Sequence, residues 1–257
     1  DMKLFTPKSK FSLNLDQISK MEYSFYYHRF SNLLVDGVDE FRYDFKEIIN
    51  VLNSISDEDL INDFNERKLI RNSTKSLSES INKLLKVRLT ELGWIAESPI
   101  FREEPYDSTN NSAWRLDFAK NNISIEVAFN HGEAIAHNII KPVLASELNH
   151  VQKNIQTKLG VIITTNEDMK RKGGFDGAVG TFEKFISYFK PYSNIVTTPI
   201  VLIGLKEPKT FEINLSQNRI SQHLEYYFEG SETVSNMWIL QNSGTSGKLF
   251  SGKPTPD

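Results

Sequence analysis

The sequence predicts an α/β protein in which a mixed sheet core is flanked by helices and preceded by a helical N-terminal region. Three observations carry that prediction. Residues Arg115 to Ala128 read as two short strand runs joined by an Asn-containing turn, Leu159 to Thr164 and Ile200 to Leu205 are apolar runs of strand length, and the stretches around them space their apolar side chains at helical intervals. The order helix, strand, strand, strand, helix, strand, helix, strand then builds layers around one sheet.

Taken in order, Leu15, Ile18, Met21, Phe25, Phe30 and Leu33 suit one helical face over 12–34, broadened by Tyr23, Tyr26 and Tyr27 and stopped at Asp36-Gly37. Phe41, Phe45, Ile48, Ile49 and Leu52 predict a second helix, and Ser56-Asp57-Glu58-Asp59 the acidic start of a third. Ser76-Leu77-Ser78-Glu79 fits a capping box, followed by helical spacing from Leu77 to Leu92 and a stop at Gly93. Trp94 to Glu97 begins a first strand, and 99–112, rich in charge, Pro and Asn, reads as a loop before the hairpin. Beyond the hairpin, 134–154 predicts a helix that Pro142 should kink or break near Ile140. The segment 166–180 reads as a loop, 181–189 as a helix ending before Pro191, and Ile200 to Leu205 as the closing strand. The expected domain organisation is 1–92 as a helical region packed on the core, 93–210 as the core, and 211–257 as a partly flexible extension containing Ser243 to Lys248 and Ser251 to Pro254.

A chain of 257 residues can bury a substantial core without covalent staples. It contains no cysteine, which excludes disulfides, thiolate zinc sites and cysteine nucleophiles. No apolar run approaches the ~20 residues needed to span a bilayer, and the first residues lack a secretion-signal core, so a cytoplasmic protein is expected. A net charge of -3 argues against a general nucleic-acid coat, though not against an enzyme with basic residues along one cleft. Gly244 to Leu249 lacks the spacing of a phosphate-binding loop, and a zinc site at His131 and His137 fits helical facing poorly.

Chemistry concentrates in the hairpin. Leu116 and Phe118 flank Asp117, while Ile123, Ile125 and Val127 alternate with Ser124, Glu126 and Ala128, the period of a half-buried strand. Asp117 and Glu126 are thereby expected opposite the apolar face. Carboxylates on rigid strands cost desolvation unless a cation offsets it, and a hard divalent ion with oxygen ligands is the usual partner, magnesium first.

This acid pair, with Glu126-Val127-Ala128-Phe129-Asn130, the helix-like run through Ser146-Glu147-Leu148, Gly160 to Thr164 and Pro199 to Leu205, resembles the BglII-type restriction endonucleases of the PD-(D/E)XK nuclease superfamily over Trp114 to Leu205. The resemblance implies a type II restriction endonuclease with a restriction-endonuclease-like core, a homodimer that cuts double-stranded DNA at a short palindromic site with Mg2+. Asp117 and Glu126 would be the catalytic and metal-binding acids, and the Val127 carbonyl a further ligand. Asn130 and His131 stand where the family reaches base edges. Lys170, Arg171 and Lys172 stand where it has a recognition loop, with Gly173 and Gly174 permitting close backbone approach and Lys206, Lys209, Arg219, Lys248 and Lys253 as additional phosphate contacts.

One position departs from the pattern. The third motif residue is usually Lys, sometimes Gln or Glu, and here it is Ala128, whose methyl group can neither polarise water nor donate to phosphate. Takeover by another side chain is the favoured explanation, with Glu133, Lys141 and Glu147 as candidates from the following helix and Glu91 and Glu97 from upstream. Activation by metal and phosphate alone, and an inert chain, are the other two. The functional rivals are a DNA-binding protein that has lost cleavage and a nuclease of repair or RNA processing.

Overall fold

A computed structural model describes residues 19–104, 106, 114–148, 150–214, 219–224 and 237–239. Strands β1 (Tyr23–His28), β2 (Ile95–Pro99), β3 (Arg115–Lys120), β4 (Ile123–Val127), β5 (Leu159–Thr165) and β6 (Ile200–Leu205) form a six-stranded sheet in the order β1-β6-β5-β4-β3-β2. The central β4, β5 and β6 are parallel; β1 at one edge and β3 and β2 at the other run antiparallel to their neighbours.

The unbroken apolar runs of β5 and β6 are explained by helices on both faces of a parallel centre. Val161, Ile163, Val201 and Ile203 share a core with Ile48 and Leu52 of α2 (Asp39–Ser54), Phe64 of α3 (Asp57–Ile70) and Ile81 and Leu85 of α4 (Ser78–Glu91). The alternate residues Ile162, Ile200 and Leu202 pack with Ile139 and Val143 of α5 (Ile135–Ser146) and Phe185 and Phe189 of α7 (Phe182–Phe189). On β4, Ile123 and Ile125 join the first core and Ala128 just beyond the strand joins the second, so Glu126 points towards α5.

The predicted helix over 12–34 is corrected. Residues 1–18 lie outside the described residues, 23–28 form β1, and only α1 (Ser31–Gly37) is helical. The tyrosines and phenylalanine obey a two-residue period: Tyr23, Phe25 and Tyr27 line one face with ring centroids 5.3 and 5.6 Å apart, while Tyr26 and His28 stack on Phe189 from the other. Phe30 and Leu33, expected on the apolar helical face, are exposed. The region 1–92 therefore lends an edge strand to the core.

The capping box forms elsewhere than expected. Ser56 Oγ accepts from Asp59 N and Asp59 Oδ2 from Ser56 N at the start of α3, whereas Glu79 pairs with Arg71 and Arg67 and Leu77 caps α4 without its side chain. Pro142 does not break α5, which runs through it and stops at Ser146, short of Asn154. Its ring seats on β5: a Cβ at Gly160 would lie 2.7 Å from Pro142 Cβ. Gly160→Ala is expected to lower unfolding free energy by about 1–3 kcal/mol through overpacking; an unchanged urea midpoint would contradict this close seating.

The segment 166–180 contains a short helix, α6 (Glu167–Lys172), capped by Asn166 accepting from Met169 N at 2.7 Å. After the main sheet, β7 (Phe211–Asn214), β8 (Arg219–Leu224) and β9 (Met237–Ile239) form a second, antiparallel sheet, and Phe211 and Ile213 are buried in the first core. Ser243 to Lys248 and Ser251 to Pro254 lie outside the described residues. Among the described residues no helix is long and apolar enough to cross a membrane.

Candidate active site

The β3–β4 register pairs Phe118 with Ile125, and one further step sets Asp117 beside Glu126. Both carboxyls then face α5, because neighbouring positions across a ladder share a face. This side of the strand is not solvated: Glu126 is only 1 % exposed and Asp117 half-buried, because α5 covers what a half-buried strand would have left open. Val127 N donates to Asp117 Oδ2 at 2.6 Å, fixing one carboxylate against the next strand. Lys141, from α5, forms an ion pair with Glu126 Oε2 and donates to the Arg115 carbonyl at 2.9 Å. Among the described residues, Glu126 Oε1 is buried without a hydrogen-bond partner.

These carboxyls are hard to ionise together. Burial pushes Glu126 well above the ordinary carboxylate range, and the Asp117 charge adds to the shift while Lys141 opposes it. Asp117 is raised by its own burial and by Glu97, against the Val127 N–H and Lys141. A single ammonium therefore leaves the acid pair under-compensated, and Oε1 offers a buried lone pair that no described residue engages in a hydrogen bond. Two adjoining hard oxygen donors with excess negative charge fit a divalent cation. Among the described residues no group of three or more His, Cys, Asp or Glu side chains converges on one point. A divalent cation here would complete its shell with backbone carbonyl and water.

The pair lies in a cleft of about 360 Å³ walled by Asn82 and Lys86 of α4, Ala96 and Glu97 of β2, Asn130, and Asn138 and Lys141 of α5. Sequence reasoning missed Asn82, Lys86 and Asn138. Asn82 and Lys86 are one turn apart on the polar face of α4, a signal indistinguishable from an ordinary solvent face.

Of the candidate replacements for the missing motif lysine, Lys141 alone among Glu133, Lys141 and Glu147 lines the cleft, and Glu97 is the upstream candidate that does so. Glu133 is exposed in the one-turn helix Gly132–Ala134, and Glu147 caps the far end of α5, where it accepts from Thr197 Oγ1. Asn130 lies on the cleft wall; His131 is exposed and bridges Val179. Lys170, Arg171 and Lys172 are outside the cleft wall and have acids beside them: Glu167, Asp168 and, at 3.6 Å, Glu207. Gly173 and Gly174 serve packing: the Gly173 carbonyl accepts from Leu77 N, and Gly174, at φ +71, has the Lys75 carbonyl 2.4 Å from where a Cβ would stand.

Comparison with known proteins bears on this fold and cleft. The family model described as restriction endonuclease BglII/BglIII matches residues 23–205, from the first residue of β1 to the last of β6. A crystal structure of restriction endonuclease BglII complexed with a DNA 16-mer superposes with a TM-score of 0.54 at 15% identity, covering 84% of this chain and 100% of that one. Free BglII gives 0.47 at 16% identity over 85% and 93%. No curated protein matches the sequence. Because the family match encloses the whole six-stranded sheet, including both acids, the chain belongs to the BglII/BglIII restriction endonuclease family and is a type II, site-specific deoxyribonuclease.

Proposed function

We propose that the chain hydrolyses double-stranded DNA at a short palindromic site as a homodimer, with Mg2+ held by Asp117, Glu126 and the Val127 carbonyl. The observation that carries this reading is the under-compensated acid pair, in which Asp117 is half-buried and Glu126 is buried with no partner for its Oε1 among the described residues. Val127 fits the third role because its N–H already points at Asp117 and, in extended backbone, its carbonyl projects to the same side. Family membership implies a divalent metal, and the BglII–DNA complex supports a duplex as the substrate of this fold. Twofold protein symmetry would match that of a palindrome.

In the reaction a water oxygen bonds to phosphorus as the P–O3′ bond breaks; the water proton passes to solvent and the leaving 3′ oxygen gains one. A bound divalent ion supplies charge relief at phosphate and a more acidic water. Asp117, held by Val127 N–H, and Glu126, buried under α5, give that ion a rigid seat. Asn130 on the cleft wall and His131 beside it would contact base edges.

Incubating the purified protein with Mg2+ and DNA of known sequence is expected to give discrete fragments whose ends map to one short palindrome. A smear would favour structure-selective repair chemistry, and retarded but uncut DNA an inert binder. Phosphate contacts are assigned to Lys170, Arg171 and Lys172, of which Arg171 is the most exposed at 70%. Arg171→Ala should reduce the salt slope of DNA binding by about one; an unchanged slope would remove it from the interface.

A further inference from the structure

We propose that Lys141 is a catalytic residue whose ammonium, delivered from helix α5, hydrogen-bonds the scissile phosphate in the cleft. The proposal rests on the reading of Asp117 and Glu126 as the metal seat. Lys141 lines the same cleft as both acids and its side chain is 11% exposed, so its amino group is neither in bulk solvent nor sealed in the core. An ammonium has three N–H donors. Glu126 Oε2 and the Arg115 carbonyl account for two. Among the described residues the third has no acceptor, which leaves it to an oxygen entering the cleft.

The strand itself cannot supply this donor. Glu126 and the residue two positions on share a face, but that residue is Ala128, 1% exposed within the cluster that includes Ile135, Ile139 and Ile162. Position 128 is closed over by apolar side chains of the α5 layer, and the cation reaches Glu126 from α5 instead. The helix is positioned for it: Pro142, the next residue, seats on Gly160 of β5, which sets how α5 lies over the sheet. Fixed positive charge aimed at a phosphate oxygen acts where negative charge accumulates as the P–O3′ bond breaks, without reorganisation at that moment.

The test measures single-turnover cleavage, DNA affinity and the half-saturating Mg2+ concentration for wild type, Lys141→Ala, Lys141→Gln and Asp117→Ala. Lys141→Gln retains a donor for the Arg115 carbonyl, so it reports on catalysis if Lys141→Ala melts early. Both substitutions are expected to slow cleavage by about 10²–10³-fold, with DNA affinity within a few-fold and no recovery at high Mg2+. Cleavage at the wild-type rate by either folded variant would overturn the proposal, and so would a loss fully recovered by adding Mg2+, which would make Lys141 only a counter-ion for Glu126. If Asp117→Ala cuts normally the metal seat itself is wrong; if Asp117→Ala is dead while Lys141→Gln cuts normally, the lysine assignment alone falls.

Discussion

Asp117→Ala is expected to lower cleavage by at least about 10³-fold while the protein still binds DNA, and Glu126→Ala to do the same. A bound ion contributes several kcal/mol of transition-state stabilisation, and each 1.36 kcal/mol is tenfold in rate. Two donors that hold one ion act as a unit, so the double variant should be little slower than either single one. Binding is expected to survive because the proposed phosphate contacts come from cations elsewhere, and losing a carboxylate removes repulsion from the cleft. Gel retardation with quantified single-turnover cleavage checks both halves. Normal cleavage by either variant contradicts the assignment; lost binding together with lost melting cooperativity would trace the defect to folding.

The second large effect is a pH-dependent stabilisation by divalent ions. Asp117 and Glu126 are both raised above the ordinary carboxylate range, chiefly by burial, so the metal-free folded chain holds their protons more tightly than the unfolded chain does. With that sign, these two groups make the metal-free fold lose stability as pH climbs from the ordinary carboxylate range through their raised values. A divalent ion seated on the pair would compete with those protons and restore what ionisation costs, since carboxylate ligands must be deprotonated to bind. Mg2+ should therefore raise the melting temperature more at pH 8 than at pH 5. At 100 times its dissociation constant the ion contributes ~2.7 kcal/mol, and Glu126→Ala should abolish most of the increment. A melting shift independent of pH would contradict the coupling between ion and acid pair.

How much of this was legible in the sequence depends on whether a local pattern decided the outcome. The hairpin was legible because Phe118, Ile125 and the Asn121-Asn122 turn fix its register, with Asn121 at φ 47 in the left-handed region that Asn tolerates. The β5 and β6 runs were legible because strands buried on both faces need no polar alternation. Strand β1 was not, because Met21, Phe25, Phe30 and Leu33 also satisfy a helical period, and only pairing with β6 chooses between them. Lys141 stood among several charged residues after the hairpin. Which of them meets Glu126 depends on the rotation of α5, set by Pro142 against Gly160 far along the chain. The basic run at 170–172 looked like a loop but lies on the short helix α6, because Asn166 caps it and Glu167 and Asp168 pair with Lys170 and Arg171 across one helical turn.

Whether Asp117 and Glu126 together seat a divalent ion is read out by titrating Mn2+ into the protein with duplex DNA present and following the free ion by electron paramagnetic resonance. Wild type should deplete the free signal to saturation, while Asp117→Ala and Glu126→Ala leave it close to the protein-free curve. Equal depletion by all three proteins would place the ion elsewhere and remove both carboxylates from its shell.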